Sequence, residues 1–197
     1  MLVFLVLSML GSTENSRFML AHGAAYTPYI MEGEWWRLIT SMFLHFGPIH
    51  LIYNMVCLIY LGDMLEGVVG PWRYPIIYVL GGIGGNLLSM ANDFRTGHSA
   101  VSAGASGAIF AVIGAVLVIT LINRRRVSRS FVQRMLIMAV LMLAQGFTEA
   151  GTDAVAHLGG FLAGALLGFV LYGIMYLRGS DRNPVSGGGM NGWSGRF

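Results

Sequence analysis

Four polar side chains lie inside long apolar stretches of this chain, and their types could carry out acyl transfer. Ser106 stands in Gly104-Ala105-Ser106-Gly107, where small neighbours leave its hydroxyl accessible. His157 stands in Ala156-His157-Leu158-Gly159-Gly160. His50 and Asn54 are four residues apart, hence on one face of a helix. An ionisable group in a lipid-buried segment costs free energy, so each of these residues is a functional hypothesis by default.

Every one of them also has a plainer reading. A membrane serine commonly bonds back to its own helix. A histidine can serve packing or a proton relay, and a His and an Asn one turn apart can bond each other. Metal binding by His45, His50 and His157 is conceivable, but no carboxylate or cysteine nearby completes a familiar ligand set. Neither a metal nor another cofactor is therefore expected. The combination favours chemistry. A serine becomes a nucleophile when a base lies beside it, most often histidine. Peptide hydrolysis further needs donors aimed at the developing oxyanion, and His50, Asn54 and the Ser106 backbone N–H are of that kind. No carboxylate shares these apolar windows to orient His157, so the arrangement would be a Ser–His dyad rather than a triad.

Such a dyad needs helices to carry it. Hydrophobic residues make up 55% of the 197 positions and charged residues 11%, where soluble domains carry about a quarter. That composition excludes a cytosolic globule, a disordered chain and a nucleic-acid binder. The net charge of +3 comes from 12 arginines, with no lysine, against 9 acidic residues. A lone Cys57 in an apolar run excludes a disulfide framework and reads as a buried, inert thiol.

A helix needs about 20 apolar residues to cross a bilayer. Windows of that kind occur at 38–62, 74–92, 104–122 and 154–177, with a shorter one at 135–148 that Arg134 can lengthen by snorkelling. The stretch 1–11 is shorter still. It lacks the basic flank of a secretory signal and reads as the remainder of a first span that starts upstream. The expected fold is therefore all-α, a polytopic membrane bundle of six helices with a short or truncated first one. Residues 1–178 form one membrane domain, and 179–197 a Gly/Ser-rich tail, expected to be disordered.

Arg124, Arg125, Arg126, Arg129 and Arg134 crowd one connection, which the excess of positive charge in cytoplasmic loops assigns to the cytoplasm. Alternation then puts nine arginines inside and three outside, the tail cytoplasmic, and the connections at 11–48, near Asp93 and near Glu149 external. The absence of an amphipathic, Arg/Ser-rich leader points to a bacterial plasma membrane. Ala156, Gly160, Gly164 and Gly168 recur every fourth residue, as do Gly107, Ala111 and Ala115. Small residues at this spacing let helix backbones approach in lipid. If the two stripes pair, Ser106 and His157 meet below the external surface. The stripes serve contacts between bundles equally well, so the oligomeric state stays open.

Taken in order, these motifs make the chain resemble the rhomboid intramembrane serine proteases. Trp36-Arg37 lies in the first external connection, His50-Leu51-Ile52-Tyr53-Asn54 opens the second span, Gly104-Ala105-Ser106-Gly107 the fourth, and Ala156-His157-Leu158-Gly159-Gly160 the sixth. The resemblance implies a six-helix bundle with its site in a water-filled cavity open to the external face. It implies Ser106 as nucleophile, His157 as general base and acid, and His50, Asn54 and the Ser106 N–H as oxyanion donors. Phe110 matches a position where the family sets an aromatic ring against the histidine, although core packing explains it too. Trp36 and Arg37 would belong to a structural loop partly embedded in the outer leaflet, and the two tryptophans Trp35 and Trp36 also read as interfacial anchors. Glu66 matches a position that braces that loop, or it caps a helix end.

The expected function is cleavage of membrane-spanning protein segments near their external end. The chief rival is a non-catalytic relative of the same fold that binds or escorts transmembrane helices. Such proteins usually lack the serine or histidine, and both are present here. A small transporter would show ionisable residues at mid-span or broken helices in repeated halves, and neither occurs.

Overall fold

The computed structural model describes residues 1–124, 128–130, 132–134, 136, 137, 140 and 153–177. The expected fifth span at 135–148 lies mostly, and the tail at 179–197 wholly, outside the described residues, as do Arg125 and Arg126 of the arginine-rich connection. Eight α-helices are described: α1 Leu2–Leu10, α2 Ser16–Ala21, α3 Thr27–Met31, α4 Arg37–Thr40, α5 Gly47–Val69, α6 Arg73–Thr96, α7 Ser106–Ile122 and α8 Ala154–Leu177. A 3-10 turn, Ser41–Phe43, follows α4. No strand occurs among the described residues; extended backbone pairs only at the antiparallel bridge Ala25–Ser102. The chain is all-α, as expected.

Among the described residues, three segments are long and apolar enough to cross a membrane: Gly47–Val69, Arg73–Thr96 and Ala154–Met175. The nine residues of α1 rise only about 14 Å, short of the roughly 30 Å of a bilayer core.

One expected window is displaced. The apolar run at 38–62 is not one helix, because α5 begins at Gly47 and continues past Asp63 and Glu66 to Val69. Gly47 has φ +77°, a left-handed value that breaks a right-handed helix, and the following Pro48 favours a helix start. Residues 38–46 are apolar for another reason. Leu38, Met42 and Leu44 are buried where the loop folds onto the bundle.

The central element is α7, with eleven of its seventeen residues buried. It packs on α5, α6 and most extensively on α8. A Cβ added at Gly160 would collide with the Gly107 backbone, at Gly164 with the Ala111 backbone, and at Gly168 with Ala115. The two small-residue stripes therefore face each other. A third row joins them from α6. Gly81 lies against Ala111, Gly84 against Ala163, and Gly85 against the Ala156 carbonyl. Outward-facing Ile52, Val56 and Ile59 of α5, and Leu162, Leu166 and Phe169 of α8, remain exposed, as lipid contact requires.

The loop between α1 and α5 packs against α6 and the segment that leads into α7. Arg37, only 4% exposed, organises it. Its guanidinium meets Glu34 at 2.5 Å and donates to the carbonyls of Leu20 (2.7 Å) and Ala24 (2.8 Å). It also stacks over the Trp36 ring at 4.6 Å. Thr27 donates to Asp93 at 2.5 Å and ties this loop to the end of α6.

Candidate active site

Ser106 is the first residue of α7, and His157 lies in the first turn of α8. Pairing of the two stripes brings these turns to the same depth. Ser106 Oγ lies 2.8 Å from His157 Nε2. Ser106 is half-buried, while His157 is buried. The Phe110 ring stacks on the imidazole, with centroids 4.4 Å apart and planes inclined by 22°. His157 Nδ1 is buried with no hydrogen-bond partner among the described residues.

Asp153 precedes α8 by one residue, yet its carboxylate turns elsewhere. One oxygen accepts from the Ala156 N–H at 2.9 Å and the other from the Ser89 hydroxyl at 2.6 Å. It thus caps the helix that carries His157 and pins that helix to α6. Sequence reasoning missed this residue, because a lone acid before an apolar run gives no sign of which helix it reaches.

His50 lies in the first turn of α5 beside Gly104, and Asn54 follows one turn later on the same helix. A Cβ on Gly104 would sit 2.8 Å from His50 Cε1 and 3.5 Å from Ser106 Oγ, so Gly104 is the gap through which His50 approaches the serine. Gly104 also has φ +147°, a conformation open chiefly to glycine. Asn54 is buried, and its Nδ2 donates to the His50 carbonyl at 2.8 Å. A side-chain amide has two N–H groups, so one remains for another acceptor. Gly107 serves packing, its backbone lying against Gly160.

The remaining candidates fall outside this cluster. Trp36, 49% exposed, and buried Arg37 belong to the loop described above. Glu66 lies in the last turn of α5, exposed, about 24 Å of helix rise beyond His50. Within the loop Glu34 pairs with Arg37, a partner that the motif reading passed over. A polar cleft opens beside the cluster, lined by Tyr26, Thr27, Asn86, Ser89, Asp93 and Asp153 among others, and neither Ser106 nor His157 is part of its lining. Among the described residues, no group of three His, Cys, Asp or Glu side chains is arranged to hold a metal ion.

Comparison with known proteins agrees with this architecture. The Rhomboid domain family model matches residues 32–174. The chain is 35% identical to Rhomboid protease GluP of Bacillus subtilis (strain 168), over 83% of this chain and 31% of that protein. It is 40% identical to RHOMBOID-like protein 5 of Arabidopsis thaliana, over 76% and 48%. With the Putative rhomboid protease YdcA of Bacillus subtilis (strain 168) it shares 30% identity, over 74% and 71%. The chain thus spans less than half the length of the first two relatives.

Proposed function

The chain belongs to the rhomboid family, and on that premise we propose that this multi-pass membrane protein is an intramembrane serine endopeptidase that cleaves membrane-spanning protein segments. The observation that carries the proposal is the 2.8 Å approach of Ser106 Oγ to His157 Nε2.

Catalysis begins with the neutral imidazole. An Nε2 that accepts from a hydroxyl leaves the ring proton on Nδ1. As Ser106 attacks the scissile carbonyl, His157 Nε2 takes its proton. A general base of this kind contributes roughly 10²- to 10⁴-fold. The imidazolium so formed lies against the Phe110 face, where a cation over an aromatic ring gains about 0.5–2 kcal/mol. The carbonyl oxygen becomes an oxyanion, with the Ser106 N–H, the second Asn54 N–H and His50 as its donors. The tetrahedral adduct collapses as His157 returns the proton to the leaving amine. Water then repeats the sequence on the acyl-enzyme.

A substrate helix keeps its backbone bonds satisfied internally, so the bond to be cut must first be unwound. Segments weakened near the end by Gly or Pro are the preferred substrates. The site faces the external side, since the arginine-rich connection lies at the opposite end of α7 and belongs in the cytoplasm with the tail. We assign the protein to a bacterial plasma membrane.

The test is incubation of the detergent-solubilised protein with a model transmembrane substrate, with mass analysis of the fragments. Wild-type protein yields two defined fragments and reacts covalently with a serine-directed phosphonate. Ser106→Ala loses both. Equal cleavage by Ser106→Ala would remove the serine from the mechanism. Folded wild-type protein that neither cuts nor labels would favour a non-catalytic helix-binding role.

A further inference from the structure

The turn that carries Ser106 is held by a segment to which the hydrolytic reading gives no task. Residues 41–45 run alongside residues 104 and 105. The Gly104 N–H donates to the Ser41 carbonyl at 3.0 Å, and the Ala105 N–H points at His45 Nε2, 3.4 Å away. The segment is itself anchored from α6, where Asn86 Nδ2 donates to the Leu38 carbonyl (2.8 Å) and to Ser41 Oγ (3.0 Å). On its other side the His45 ring meets the His50 ring edge to face, with centroids 5.4 Å apart and planes at 71°.

His45 is an unusual choice for such a place. It is 3% exposed. An imidazole that accepts through Nε2 carries its proton on Nδ1, and His45 Nδ1 is buried without a hydrogen-bond partner among the described residues. An orphaned donor is a standing cost to folding. A phenylalanine would fill the same flat space without it. What phenylalanine lacks is an acceptor for the peptide that leads into Ser106. That acceptor exists only in the neutral ring. Burial first, and the neighbouring His50 second, lower the His45 pKa to about 4, so the lone pair is available at neutral pH.

We propose that His45 is a positioning residue, whose Nε2 fixes the peptide before Ser106 while its ring sets the orientation of His50. One imidazole outside the reacting pair thereby aligns the nucleophile with an oxyanion donor. The effect on turnover rests on the hydrolytic reading above; the clamp on the backbone does not.

Three measurements test it. In the wild-type protein, ¹⁵N spectra of the His45 ring show a bare Nε2 and a protonated Nδ1; the reverse tautomer overturns the proposal without any variant. His45→Phe keeps the ring but removes the acceptor. His45→Gln puts an amide oxygen near the place of Nε2. Amide exchange across residues 104–106 accelerates in His45→Phe and returns toward the wild-type rate in His45→Gln. Unchanged exchange in His45→Phe overturns the clamp. With a cleavable substrate, His45→Phe loses about 100-fold in kcat, the size expected for a misplaced reacting group, with KM nearly unchanged, and His45→Gln recovers most of it. A His45→Gln as slow as His45→Phe would show that shape rather than the acceptor matters, and the proposal fails. A wild-type protein without activity would sink the hydrolytic reading alone, since the spectra and exchange still decide the clamp.

Discussion

Two imidazoles in this bundle turn Nε2 toward the nucleophile's turn, His157 toward the serine and His45 toward the peptide that leads to it, and the Nδ1 of each is buried with no hydrogen-bond partner among the described residues. Among the described residues no carboxylate bonds either Nδ1 to orient its ring, so shape must do that work: Phe110 against His157, His50 against His45. Substitutions here should affect turnover more than folding. Asn54→Ala should lower kcat by about 10²- to 10³-fold, the usual cost of one oxyanion donor, and steady-state cleavage assays read it directly. Gly104→Ala meets both a left-handed backbone and the His50 ring. Strain of about 1–3 kcal/mol should appear as a lower melting temperature, together with severe loss of cleavage. Stability should also depend on pH through His45. Its folded pKa of about 4 lies below the ordinary 6.5, so between these values the unfolded chain binds more protons. Stability from this residue is therefore present above about pH 6.5 and drains away as pH falls toward 4. Melting curves of His45→Gln should show a shallower decline over that window than wild type, and an identical decline would refute it.

Helix packing rests on where side chains are missing. Gly160, Gly164 and Gly168 of α8 lie so close to α7 that any added carbon would strike backbone or Cβ. The fit sets the depth of His157 relative to Ser106. Gly164→Leu should force the helices apart, lower the melting temperature in detergent and abolish phosphonate labelling. Overpacking of this kind costs about 1–3 kcal/mol or more. Gly173, on the same helix, has nothing within 4 Å of an added Cβ. Gly173→Leu should therefore fold and label normally. Equal damage from the two would mean that leucine disturbs α8 in general. The loop over the site has a comparable keystone. Arg37→Ala would strand the Ala24 carbonyl and leave the Leu20 carbonyl only its 3.4 Å bond from the Gly23 N–H; a buried carbonyl left unmet costs about 1–3 kcal/mol. The expected outcome is faster proteolysis within residues 11–46.

Ser106 and Arg124 lie at opposite ends of α7. With Cys57 replaced by Ala, a cysteine at position 97 should react with an impermeant maleimide from outside intact cells, and one at position 126 only after the membrane is opened. The reverse pattern would invert the proposed orientation. Much of this was legible in the residues alone. Charge-free windows mark α6, α7 and α8 to within a few residues, because crossing lipid demands length and apolarity, and both are local properties. Four-residue spacing of glycine and alanine marks the faces where helices can meet, and Ser106 and His157 stand out because polar groups inside such windows are costly. Other features were invisible there. The run at 38–46 looks like membrane span because burial under a loop selects the same residues as burial in lipid. Which helix Asp153 reaches, which peptide His45 holds and which acid meets Arg37 depend on contacts between segments far apart in the chain. Composition and period decide what must leave water. Only tertiary packing decides which neighbour each buried polar atom finds.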